Sequence, residues 1–399
     1  MKIGIIGAGT ASAVSLISML HVFRERRFND YEIVCIADPK IPITHVGESL
    51  SSLILLKMID VLDFDLVDDL IEIDGTLRIQ SRAFWERANG HDFKVKYGLP
   101  GLHVNSEKFS KFVIDRILKL YPNVSIVYDN VEKIIDTDDG ATLFLSDNKS
   151  VDFTFVINCT GTPTAEELAK DYEVPEFISV NAAILYPDFK KYDEMFTSSY
   201  VHDNGWMFGV PLQHRKAFGY CYNNNITSKE EAIKDFSEIK NIDASTCRSF
   251  EWSQYYRKKI IERSVLYLGN KLYFLEPQQG LPLHFYGMMI TAFTNELFMP
   301  KDINTIRDEF NRYYRFNIEN VQDLIALNYS GECNIDSKFW NYVKEPARQR
   351  LKNSEVFQNW LSTCEKENKL IPFWFFDEKM IKAYIEGYKI DLGELRCSS

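Results

Sequence analysis

Residues 2–7, Lys-Ile-Gly-Ile-Ile-Gly, form a short apolar run that stops at glycine. Residues 13–27 then carry apolar positions at helical spacing and close on Arg24, Arg26 and Arg27. Residues 31–37 form a second apolar run, rich in β-branched side chains, that ends at Asp38-Pro39. Strand, glycine turn, helix and strand are the opening of a parallel α/β sheet, and continuously apolar strands fit a sheet covered on both faces. Residues 50–73 read as helix and turn, and 76–85 as strand. Helical periodicity returns over 106–120, with Ser106 as the N-cap. Strands are predicted at 124–128, 141–146 and 153–157, the last closing on Asn158-Cys159-Thr160-Gly161. Aromatic and aliphatic runs over 206–223 predict further sheet, 228–239 a helix, and 265–268 another buried strand followed by Gly269-Asn270. From Leu283 the pattern is mostly helical, broken at Pro300. No repeat and no Gly/Ser/Pro linker divides the chain, so interleaved domains are expected.

Composition narrows the function classes. The chain has 399 residues, 45% of them hydrophobic, which suits a large core. Its 46 basic against 57 acidic residues give a net charge of −11, the wrong sign for an electrostatic nucleic-acid binder or an anionic-membrane sensor. No stretch approaches the roughly 18–20 apolar residues of a membrane span. Met1-Lys2-Ile3 leads into the first apolar run without a signal-peptide layout, so a cytoplasmic protein is expected. The seven cysteines are scattered and form no CxxC, which argues against a disulfide framework or zinc ribbon, and no histidine grouping suggests a metal site.

Gly7-Ala8-Gly9-Thr10-Ala11-Ser12 sits where a dinucleotide fingerprint belongs. Gly7 permits the tight turn and Gly9 the approach of a pyrophosphate to the helix N-terminus, while Ser12 takes the packing position usually held by a third glycine. Asp38 ends the second strand, where a carboxylate can accept from a ribose hydroxyl. Hydroxylase-type flavoproteins return to the cofactor late in the chain with a strand and Gly-Asp; Gly269-Asn270 fills that place here, and Gly161 lies in a turn that closes over the nucleotide. Only one fingerprint is present, so no NAD(P)H site is evident.

Several further segments resemble the flavin-dependent halogenases of the tryptophan-halogenase type. Gly205-Trp206-Met207-Phe208-Gly209-Val210-Pro211 with Leu212-Gln213-His214-Arg215 resembles that family's Trp-x-Trp-x-Ile-Pro signature. Val46-Gly47-Glu48-Ser49 resembles its Val-Gly-Glu-Ala, and Phe274-Leu275-Glu276-Pro277 the start of its Glu-Pro-Leu-Glu-Ser-Thr. Asn328-Tyr329 with Phe339-Trp340 resembles its C-terminal helical region. The matches run in family order from about residue 3 to 340.

The resemblance implies an FAD-binding Rossmann-like fold of the flavin hydroxylase type with an interleaved sheet-plus-helices substrate region. The FAD box would use residues 1–50, 100–165 and 258–298, and the substrate region 51–99, 166–257 and 299–399. It implies FADH2 from a separate, transient flavin reductase, O2 and a halide ion, which together yield hypohalous acid. That oxidant would pass a wall at Trp206, Phe208 and Pro211 to reach a small aromatic substrate of the indole, phenol or pyrrole type. Gly47 and Glu48 would contact flavin, with a gating role for Glu48 or, alternatively, that of a helix N-terminal carboxylate. His103 would be structural or near the active site. A dimer is implied, though no residue pattern establishes one.

Two departures stand out. Aligning Thr76-Leu77 and Trp85 with the family lysine's context puts Arg78 at the lysine, where it donates hydrogen bonds but stays charged, or else is an ion-paired structural residue; in another register Lys94 or Lys96 would serve. Glu276-Pro277-Gln278-Gln279-Gly280-Leu281-Pro282 puts Gln279 at the catalytic glutamate and Gly280 at the serine. Backbone N–H groups near Gly280 and Leu281 would cradle the halide, but Pro282 has none to give. The altered cradle motivates a preference for bromide or iodide, and the length a more open pocket. A monooxygenase or oxidase that has lost halide chemistry, and a non-catalytic FAD-binding homologue, remain as alternatives.

Overall fold

The computed structural model describes residues 1–42, 47–85, 100–333 and 335–397, with only the backbone of Gln279. The first sheet has six strands in the order Ile261–Glu262, Val265–Tyr267, Phe155–Asn158, Lys2–Ile6, Glu32–Ala37 and Val124–Tyr128, parallel except at the first pair. Helices Thr10–Glu25, Ser106–Leu120 and Leu281–Glu296 cover one face. A small antiparallel sheet, Val131–Thr137, Gly140–Leu145 and Ser150–Phe153, covers the other, with Leu143 and Phe153 against Ile6, Val34, Ile36 and Val156. Burial on both faces is the reason the inner strands Lys2–Ile6, Glu32–Ala37 and Phe155–Asn158 read as apolar runs, whereas the edge strand Val124–Tyr128 is largely exposed.

The second six-stranded sheet runs Arg248–Glu251, Ala182–Asp188, Lys216–Tyr222, Gly205–Pro211, Phe196–His202 and Gln80–Phe84. Helix Lys229–Lys240 packs on one face, against Met207, Phe218, Tyr220 and Tyr222; Trp206 and Cys221 face the main core. A three-stranded sheet of Gly47–Leu50, Gly101–Asn105 and Thr76–Arg78 lies between the two units. Helices Ile303–Ser330, Lys338–Asn353, Glu355–Glu367 and Glu378–Gly387 complete the chain. No helix among the described residues is long and apolar enough to cross a membrane.

The expected elements are present, with instructive differences. The cap of the Ser106–Leu120 helix is Asn105, whose side chain accepts from the Lys108 N–H at 3.3 Å; the Ser106 hydroxyl is instead drawn to Glu48. Strands Val131–Thr137, Ala182–Asp188 and Phe196–His202 were not anticipated, because charged, proline or hydroxyl side chains interrupt their apolar positions. Phe373 and Phe376 are buried, and Phe373 packs on Phe357 and Trp360, so these two rings belong to the core.

Lys57, on helix Ser52–Leu62, is only 2% exposed and donates to Ser18 Oγ and Gly287 O, each at 3.3 Å, and to Thr291 Oγ1. Burial of the ammonium pushes its pKa down to about 8. The unfolded chain therefore binds more protons between about pH 8 and the free-lysine value, and stability from this group rises with pH across that window. The Lys57→Met variant is expected to lose that slope and to be the more stable protein at pH 7. Denaturant unfolding of both proteins from pH 7 to 10.5 tests this; parallel curves would refute it.

Candidate active site

Strand Lys2–Ile6 delivers the chain to Gly7, whose φ of +109° is in the range that favours glycine. A Cβ there would lie 3.0 Å from Cys159 O. The Thr10–Glu25 helix starts with Gly9 at its N-cap, no side-chain cap and no acidic residue in its first turn, so its first N–H groups face outward, those of Thr10 and Ala11 included. A Cβ at Gly9 or Gly161 would meet nothing described within 4 Å, so the turn is open. Ser12 is fully buried and 3.3 Å from the Gly7 Cβ position, a packing contact. Gly269, at φ +65°, lies so close to the helix start that a Cβ there would be 2.9 Å from Ala11 Cβ, and Asn270 is exposed beside it. Asp38 ends its strand half-buried, and its Oδ1 accepts from the Lys40 N–H at 2.8 Å. An open, donor-lined turn with no acidic residue in the helix's own first turn fits the pyrophosphate of a dinucleotide.

Glu48 has its backbone on the strand Gly47–Leu50, and its carboxyl meets the starts of two helices. The hydroxyls of Ser106 and Thr10, each the first residue of its helix, donate to its carboxyl, but burial prevails and pushes the pKa up to about 7. Ser49, next along the strand, is 3.3 Å from Thr197 Oγ1. Arg78 ends the neighbouring short strand, with Nη1 donating to Ser81 Oγ and Nη2 to Leu50 O, each at 3.4 Å. Gly101 makes room for it, since a Cβ there would lie 2.0 Å from Leu50 O and 2.9 Å from the guanidinium.

His103 is fully buried and bonded at both nitrogens, to Thr76 Oγ1 at 3.1 Å and Thr197 Oγ1 at 2.8 Å. Burial, with Arg78 and Lys216 nearby, holds its pKa well below the usual histidine range. His284, in the first turn of the Leu281–Glu296 helix, is bonded to Ser51 Oγ at 3.0 Å and lowered to about 4 by burial, Lys57 and Arg78. The charge of Arg78 thus bears on two imidazoles, both held below the usual histidine range. Gly280, at φ +59°, is the N-cap of that helix, and Pro282 removes an N–H from the turn that begins at Leu281. The Gln279 side chain, Lys94 and Lys96 lie outside the described residues.

Trp206 and Phe208 stand on the inner face of strand Gly205–Pro211, ring centres 6.1 Å apart. Phe208 lies across Gly219 of the paired strand, where a Cβ would be 2.1 Å from the ring. Pro211 O accepts from Thr76 Oγ1 at 2.7 Å. His214 and Arg215 fall in the following turn, closed by the Leu212 N–H donating to Arg215 O at 2.8 Å. The Trp206 indole N–H donates to Tyr329 Oη at 2.9 Å, and Tyr329 donates to the buried carboxyl of Glu276 at 3.1 Å. Ser179 Oγ donates to the same carboxyl, which burial pushes well above the usual carboxylate range. Tyr329 and Trp340 line a cavity of about 330 Å³ with Cys333, Ile335, Asp336 and Lys344. Trp85 packs edge-on against Trp340 and Tyr388 behind it, ring centres 5.5 and 5.0 Å away.

Sequence reasoning singled out Tyr329 and Glu276 as motif members but not as one hydrogen-bonded unit. Ser179, Thr197 and His284 carried no signal, since each acts only through a neighbour distant in sequence.

A family model described as tryptophan halogenase matches residues 2–125 and 76–374. Among curated proteins, the chain is 26% identical over 158 residues to tryptophan 7-halogenase KtzQ of Kutzneria sp. (strain 744), covering 38% of this chain and 29% of that protein. The sequence match therefore spans under a third of the relative's length. In overall fold the chain is similar to the tryptophan halogenase of Shewanella frigidimarina NCIMB 400, with TM-score 0.82 and 16% identity over 98% of this chain and 89% of that one. It is also similar to BrvH, a flavin-dependent halogenase from Brevundimonas sp. BAL3, with TM-score 0.77 and 16% identity over 98% and 91% of the two chains.

The Glu276 unit gives a direct expectation. Glu276→Ala leaves the Tyr329 and Ser179 hydroxyls without their buried acceptor and is expected to cost about 2–4 kcal/mol. Glu276→Gln keeps an acceptor and is expected to cost under about 1 kcal/mol. Thermal unfolding of both variants measures the difference, and equal losses would count against the network.

Proposed function

The chain belongs to the tryptophan halogenase family, and from that premise we propose that it is a flavin-dependent halogenase acting on an electron-rich aromatic of the indole, phenol or pyrrole type. The observation that carries this reading is the chain from Trp206 through Tyr329 to Glu276, which ties the aromatic wall to a cavity that Tyr329 and Trp340 share with polar and charged side chains. The family is FAD-dependent and receives FADH2 from a separate reductase. With O2 and halide, reduced flavin supplies hypohalous acid as the oxidant.

The chain's own residues divide the remaining work. The turn from Gly7 to Ser12, with Asp38, Gly47, Gly161, Gly269 and Asn270 around it, would hold the dinucleotide, supporting a flavin box drawn from 1–50, 100–165 and 258–298. Trp206 and Phe208 would keep substrate apart from flavin. Arg78, a permanent cation whose charge helps keep His103 and His284 neutral, would hold the oxidant by hydrogen bonds without giving up a proton. Gln279 would orient that species but not act as a base. The halide would rest near Gly280 and Leu281, and the N–H lost at Pro282 favours bromide or iodide, which require less strong donation than chloride. The same proline supports a second reading, a monooxygenase or oxidase without halide chemistry. A transient flavin reductase and a cytoplasmic setting complete the proposal.

Two measurements test it. With FAD, a flavin reductase, NADH and a panel of electron-rich arenes, mass spectrometry is expected to find halogenated product that survives a hypohalite scavenger, with bromide or iodide ahead of chloride. Arg78→Met is expected to lower that product by about 100-fold or more while leaving FAD affinity intact. Oxygenated product or peroxide alone would move the reading to the monooxygenase or oxidase. Separately, ionisation of Glu48 near pH 7 places a negative charge beside the pyrophosphate turn. FAD affinity is expected to fall as pH rises from 6 to 8.5, and to stay flat in Glu48→Gln; fluorescence titration reads both.

A further inference from the structure

Five groups from five elements form one continuous hydrogen-bonded line: Ser49 Oγ to Thr197 Oγ1 at 3.3 Å, Thr197 Oγ1 to His103 Nε2 at 2.8 Å, His103 Nδ1 to Thr76 Oγ1 at 3.1 Å, and Thr76 Oγ1 to Pro211 O at 2.7 Å. The direction of every proton follows from its last member. A carbonyl only accepts, so Thr76 spends its single proton on Pro211 and must accept from His103 Nδ1–H. Complete burial, with Arg78 on the paired strand and Lys216 on the second six-stranded sheet, keeps the imidazole neutral. Its Nε2 then carries a lone pair, and Thr197 donates to it. With the Thr197 proton committed, Ser49 donates to Thr197 and keeps only lone pairs for its other side. Strand alternation separates that side from Glu48, which faces the hydroxyls of Thr10 and Ser106.

Ser49 borders the position where the chain carries no side chain. A Cβ at Gly280 would meet only Ser49 among the described residues within 4 Å, its Cβ at 3.5 Å and its Oγ at 4.0 Å. We propose that Ser49, held as a hydrogen-bond acceptor through the His103 relay, is a specificity-determining residue over Gly280, favouring a small neutral O–H donor, water or hypohalous acid, over a charge-dense anion. The inference rests on the proposed halogenase reading for the identity of that donor, but its polarity argument does not. Loss of an N–H at Pro282 and an acceptor at Ser49 act in the same direction: both weaken the hold on chloride more than on larger, more diffuse halides.

The experiment has two arms, neither of which needs turnover. In the first, nitrogen NMR of the full chain reads the His103 tautomer. A neutral ring protonated at Nδ1 is expected between pH 6 and 8, and an Nε2–H or doubly protonated ring would overturn the proposal. In the second, bromide binding is followed by the line width of the bromide resonance. Thr197→Val frees the Ser49 proton to donate to an anion and is expected to tighten bromide binding about five-fold. Thr197→Ser is expected to match the unmodified protein, and Ser49→Ala/Thr197→Val to lose the gain. No gain in Thr197→Val, or a gain that persists without Ser49, would overturn the proposal. If these results hold while no arene is halogenated, the functional reading fails and the role of Ser49 stands.

Discussion

The carboxyl of Glu276 is buried with no cation against it among the hydrogen bonds that hold it, and such a group is tolerated only where donors converge. Here they come from far apart: Ser179 ahead of the second sheet, and Tyr329 near the end of the long Ile303–Ser330 helix, itself bonded to Trp206 of that sheet. The desolvated acid thus fixes three elements at once. It sets the depth at which Trp206 sits, the wall of the cavity at Tyr329, and the start of the turn that leads to Gly280 and the Leu281–Glu296 helix. A shift in any one element would expose the acid or strand a donor.

A second constraint is the four-residue strand Gly47–Leu50, which divides the nucleotide side from the aromatic side. Its alternation sends Glu48 to the hydroxyls of the two helix starts and Ser49 to Thr197. Its partner strand can lie so close only because position 101 is glycine. One short segment therefore carries polar groups for two different regions of the site without a loop between them.

The sequence made the first sheet legible because its strands are buried on both faces and bounded by glycine turns, and the fingerprint at Gly7 and Gly9 marked where they converge. Trp206, Phe208 and Pro211 were equally visible as a motif. The second sheet was only half visible: Phe196–His202 reads Phe-Thr-Ser-Ser-Tyr-Val-His, and the Thr197 hydroxyl gains its value from His103 and Ser49, 94 and 148 residues away. The same reason hid Ser179 and His284, since a residue that matters by completing another residue's hydrogen bonding leaves no periodic or spacing signal. Ser106 shows the opposite failure: its local context is that of a cap, but the tertiary pull of Glu48 leaves that task to Asn105.

Phe208 rests on Gly219, a residue that offers it a flat bed and nothing else. The position of the ring is consequently set from the neighbouring strand, by a residue that contributes no side chain of its own. Enlargement at 219 would tip the ring inward, and recovery would require a smaller residue at 208. The two positions are thereby bound to a shared evolutionary path, in which neither can drift alone and a change of substrate size would be written as a paired exchange across the strands.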